Sequence, residues 1–145
     1  MTSEKKTKQL IYLYGALDLA CFLTGNMGLD EATVFSLPKE GFTEAFQKEF
    51  CCRKYPLELT DSALTLKEAF RDFLGDESED SKISANLAKM TEYSFGKTEK
   101  ICFDKDHRKL IDTLGGRNGP FWNISDIFFA VMPEEILCFF SGNFE

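Results

Sequence analysis

Residues 121–140 read Phe121-Trp122-Asn123-Ile124-Ser125-Asp126-Ile127-Phe128-Phe129-Ala130-Val131-Met132-Pro133-Glu134-Glu135-Ile136-Leu137-Cys138-Phe139-Phe140, the most apolar stretch of the chain, with neither Lys nor Arg in it. Two readings compete. Pro133 followed by Glu134 and Glu135 has the form of a helix start, with proline in the first turn and acids at the positive end of the dipole. Ser125 and Asp126 offer a second helix cap. The alternative is a hairpin, with Ile127–Met132 and Ile136–Phe140 as strands rich in β-forming residues and Pro133-Glu134-Glu135 as the turn. The caps favour the helical reading. It predicts a mainly α domain, a compact bundle of five or six short helices with at most a small two- or three-stranded β element; α+β is the alternative.

Working outward, Gly115-Gly116-Arg117-Asn118-Gly119-Pro120 breaks the chain sharply. Before it, Asp104 or Asp106 caps a predicted helix that carries Leu110, Ile111 and Leu114, and Ile101–Phe103 is a short strand candidate. The segment Lys82–Ser94 places Ile83, Leu87 and Met90 at helical spacing and stops at Gly96. Thr65-Leu66-Lys67-Glu68 has the capping-box pattern, in which the Thr and Glu side chains satisfy free amides, so a helix through Leu74 is predicted, ended by Gly75. From Gly41 to Cys52, Phe42, Ala45, Phe46 and Phe50 share one face, opposite Glu44, Gln47, Lys48 and Glu49. Tyr55–Leu59, split by Pro56, reads as an extended connection or edge strand. Asp30 caps a predicted turn through Val34. Lys8–Thr24 is predicted to be a helix so broadly apolar that it should be covered on several sides, with Gly15 marking close approach by another helix.

The 145 residues are read as one globular domain, with residues 1–7 as a polar, frayed tail. Fifteen phenylalanines against four tyrosines and one tryptophan predict a Phe-rich core, because a Phe ring has no polar group to keep it at the surface. A formal charge of −7 repels phosphate backbones and anionic lipid, which argues against direct nucleic-acid or membrane binding and suits a basic protein partner. Five cysteines without a CxxC do not make a secreted disulfide framework, and reduced thiols in the cytoplasm are expected. Lys5, Lys6 and Lys8 ahead of the apolar run Leu10–Leu23 resemble a signal peptide in outline. Asp18 interrupts that run, which is also short for a bilayer span.

Three places in the chain offer candidate chemistry. The Gly115–Gly119 loop lacks the strand before it and the lysine within it that a phosphate loop needs, so it reads as a helix stop. Cys102, Asp104, Asp106 and His107 are the one compact group of metal-ligand types, and tetrahedral zinc asks for more Cys and His than this. A nucleophile requires a neighbouring base, and His107 is the only histidine. No catalytic, metal or cofactor residue is therefore assigned. The expected function is a non-enzymatic protein-binding module, a small acidic adaptor or an inhibitor of immunity type, with a homodimer as an option. The residues assigned to the partner surface are Asp76, Glu77, Glu79, Asp80, Phe121, Trp122 and Phe144. Rival readings are a DNA-mimic inhibitor and a small enzyme or metal protein built on His107 with nearby Cys and Asp.

Overall fold

The apolar stretch is a hairpin, not a pair of helices. Asn123–Val131 (β4) and Glu135–Asn143 (β5) pair antiparallel, with Phe128 opposite Phe139 and Ala130 opposite Leu137. Pro133 and Glu134 form the turn, closed by the Met132 amide donating to the Glu135 carbonyl at 2.9 Å. The structure is a computed structural model and describes residues 3–24, 31–76, 81–116, 119–121 and 123–143. The remaining elements are helices α1 (Ser3–Leu23), α2 (Phe42–Glu49), α3 (Leu66–Leu74), α4 (Lys82–Phe95) and α5 (His107–Gly115), and strands β1 (Glu31–Pro38), β2 (Leu59–Ser62) and β3 (Lys100–Asp104). The strands join in one antiparallel sheet of order β1-β5-β4-β3-β2. The mainly α expectation is thus corrected: among the described residues the protein is α+β, five helices around a five-stranded sheet.

The reason the hairpin escaped the helical reading is its burial. Every residue from Ile127 to Met132 and from Glu135 to Gly142 is buried, so the polar–apolar alternation that identifies a half-exposed strand is missing. Both faces of the sheet are covered. On one side α1, α3 and α4 pack over Ala32, Val34, Ile101, Phe128, Ala130, Leu137 and Phe139. On the other, α2, α5 and the Phe50–Leu57 segment pack over Cys102, Ile127, Phe129, Ile136, Cys138 and Phe140. Successive side chains of a strand point to opposite faces, so each strand feeds both cores at once.

Phenylalanines dominate these cores. Phe128 and Phe139 stack with centroids 4.6 Å apart, and Phe70 meets both edge-on at 5.5 and 5.1 Å. Across the sheet, Phe129 lies 5.5 Å from Phe46, the central ring of α2. Such offset and edge arrangements add to the stability that area burial supplies.

Local signals do their predicted work. Thr65 and Glu68 form the capping box on α3, and Gly75 ends that helix in the left-handed conformation. Asp106 caps α5 by accepting from the Lys109 amide at 3.2 Å. Helix α1 begins at Ser3, ahead of the Lys8 start read from the sequence. The stretch after Asp30 is a strand, β1, where a turn was expected.

Candidate docking surface

Helix α1 is apolar on two opposite faces. Leu13, Leu17, Ala20 and Cys21 are buried against the sheet. Ile11, Tyr12, Leu19, Phe22 and Leu23 are each more than half exposed, Phe22 by 68%. The expectation that α1 is covered on several sides is corrected: one side is covered and the other faces out. An apolar patch of this kind on a folded domain marks an interaction site more often than chance exposure does.

The outward residues are ordered. Tyr12, Gly15, Leu19 and Phe22 follow one another at spacings of three, four and three, the seam along which two helices pack. Gly15 sits within this seam, and a β-carbon added there would meet nothing within 4 Å. No neighbour inside the domain requires a glycine, although glycine inside a helix costs about 1 kcal/mol relative to alanine. The N-terminal end of α1 is anchored by Lys6, whose ammonium lies 3.1 Å from the buried carboxylate of Glu135 on β5.

Of the seven residues assigned to a partner surface from sequence, Asp76 and Phe121 are described, and neither belongs to α1. Asp76 is buried and accepts a hydrogen bond from the Ser84 hydroxyl at 2.9 Å, which ties α3 to α4. Phe121 is half-buried, with its ring 5.0 Å from Phe140 and 5.9 Å from Phe50. Glu77, Glu79, Asp80, Trp122 and Phe144 lie outside the described residues. The α1 seam was legible as an apolar stripe too wide for one contact, but nothing in the stripe distinguishes a buried flank from an open one.

The candidate chemical groups are engaged in structural bonds. The Asp104 carboxylate accepts from the Tyr55 hydroxyl, from the Glu58 amide at 2.8 Å and from the Asp106 amide at 3.1 Å. Burial, and then that bond to Asp104, pushes the Tyr55 phenol well above its ordinary range. The His107 Nε2 lies 3.0 Å from Asp126 on β4. The Cys102 thiol is pushed up to about 11 by burial first and by its Asp61 partner second. Among the described residues, no three of His, Cys, Asp and Glu converge on one metal-sized point. No helix there is long and apolar enough to cross a membrane.

No protein-family model, curated protein or solved structure matches this chain.

Proposed function

We propose that this protein works by binding protein rather than by catalysis, as a small acidic adaptor or regulator that pairs with a second copy through α1. The observation that carries this reading is the open apolar seam on α1, with its otherwise unexplained glycine. Antiparallel pairing about Gly15 sets Ile11 at the level of Leu19 from the second copy. It also lays the Lys8 stem over the opposing Phe22, with its ammonium within reach of the opposing Asp18. Six partly exposed apolar side chains per copy, Tyr14 included, offer at most roughly 700 Å² at the usual size of such groups, so a paired helix reaches the lower range of standard interfaces only if neighbouring surface joins it.

A pair of chains, each carrying −7, steers toward a basic protein as the client. Five unbridged thiols suit a reducing compartment, and we place the protein in the cytoplasm. The test is multi-angle light scattering across a concentration series on the wild-type chain and on Leu19→Glu. A wild-type dimer that becomes a folded monomer in the variant supports the reading. A wild-type monomer throughout the micromolar range, or a dimer indifferent to Leu19→Glu, overturns it.

A further inference from the structure

Among the described residues, this acidic protein gathers positive charge around a cleft that α1 pairing does not involve. A cleft of about 860 Å³ opens between the C-terminal end of α2, the Cys51–Pro56 loop and the outer side of α5. Lys48, Arg53, Lys54 and Lys109 line it. Among the described residues, none of the four has a carboxylate within ion-pair distance. Elsewhere several cations are paired, Lys6 with Glu135, Lys39 with Glu99, Lys100 with Asp61 and Lys105 with Glu58, and those that are not, such as Lys67, Lys89 and Lys97, do not line this cleft. The lining includes a single acid, Asp112, and Arg108 already engages it at 3.6 Å.

Helix electrostatics account for one of these charges and not for the rest. Lys48 lies in the last turn of α2, where a cation complements the dipole. Lys109 lies in the first turn of α5, where His107-Arg108-Lys109 follow the Asp106 cap with no further acid. That is the end of a helix where positive charge is unfavourable. Sites that break a local rule are where function is expected.

The cleft is also held in shape. The Gln47 side chain donates to the Tyr55 carbonyl at 2.6 Å, the Cys52 amide donates to the Gln47 carbonyl at 2.9 Å, and the Tyr55 hydroxyl reaches Asp104. Arg53 and Lys54 therefore sit on a braced loop, and a braced loop loses little freedom when a ligand arrives. Gly116 and Gly119, from the glycine-rich segment, form the opposite wall. Each lies so close to the end of α5 that a β-carbon would clash, at 2.7 Å from the Asp112 carbonyl and 2.0 Å from the Leu114 carbonyl.

We infer that this cleft binds a small phosphorylated molecule. Arg53 supplies a planar fork for two phosphate oxygens, and the lysines add point charges. Tyr55 and Pro56 form a less polar wall for the organic part, and the volume suits a ligand of nucleotide or sugar-phosphate size. A nucleic-acid chain is disfavoured, because a polyphosphate extending beyond the cleft meets a surface of net negative charge.

The test is calorimetric titration of the full chain with inorganic phosphate, pyrophosphate, a nucleoside diphosphate, a hexose phosphate and an oligoglutamate peptide. Cys51, an exposed thiol in the cleft wall, provides a second readout through its alkylation rate. Saturable binding of at least one phosphate compound is expected, with slower Cys51 alkylation in its presence. Arg53→Gln and Lys109→Gln should each weaken binding about tenfold, as loss of a charge-assisted hydrogen bond does; Lys97→Gln, outside the cleft, should leave it unchanged. Preference for the esters over inorganic phosphate assigns the organic wall its role. Absence of saturable binding, equal affinity in all variants, or binding of oligoglutamate alone would overturn the inference.

Discussion

Lys6 of α1 and Glu135 of β5 are joined at 3.1 Å, with the carboxylate only 3% exposed and the ammonium at the rim. This pair fastens α1 to the strand that lies between β1 and β4. A buried carboxylate deprived of its cation retains its desolvation penalty, so removing one partner is worse than removing both. Lys6→Met should therefore destabilise the fold by about 1–3 kcal/mol, and Lys6→Met with Glu135→Leu by less. Urea denaturation of the single and double variants measures the difference. Equal losses in the two would show that the pair contributes nothing beyond its side-chain packing.

The Thr65 amide and hydroxyl hold the Glu68 carboxyl below its ordinary value of 4.5. A depressed folded value means stability that is present above the unfolded value and lost as pH falls through the folded one. Acid should weaken the α3 cap below about pH 4.5, and Glu68→Gln should flatten that part of the pH–stability curve. Denaturation midpoints at pH 7 and pH 3 for both chains check the direction.

Tyr55 carries the opposite sign. Its phenol is raised above the usual 10.0 by burial and by the bond to Asp104, so folding favours the neutral form. The associated stability is complete below about pH 10 and declines as the unfolded chain begins to ionise above it. Tyr55→Phe should lose about 1–3 kcal/mol at neutral pH by chemical denaturation, the usual loss when a buried acceptor is left without its donor. Its alkaline decline should also be shallower than that of the wild type.

Thiol reactivity should separate the five cysteines. Cys51 is exposed, while Cys21, Cys52, Cys102 and Cys138 are buried. Burial pushes Cys52, Cys102 and Cys138 upward, so their reactive thiolates are scarce near neutral pH. A disulfide reagent at pH 8 should titrate one thiol rapidly in the native protein and all five in denaturant. Cys51→Ser should abolish the rapid phase, and persistence of that phase would place an accessible thiol elsewhere.

What the sequence determined by itself was whatever a few neighbouring residues settle among themselves. The capping box of Thr65 and Glu68, the Asp106 cap, the Phe42–Phe46–Phe50 face and the Gly75 and Gly96 stops are all of this kind, because their partners lie within a few positions along the chain. The tertiary structure alone decided whether Ile127–Phe140 was helix or strand. With helices on both sides of the sheet, residues 127–132 and 135–142 have no solvent face, so their periodicity carries no sign of the strand. It also decided which apolar flank of α1 is hidden and which is open, and it brought Lys48, Arg53, Lys54 and Lys109 to one cleft from three separate segments. Burial and charge convergence depend on what folds against a residue from far along the chain, and local order does not record that.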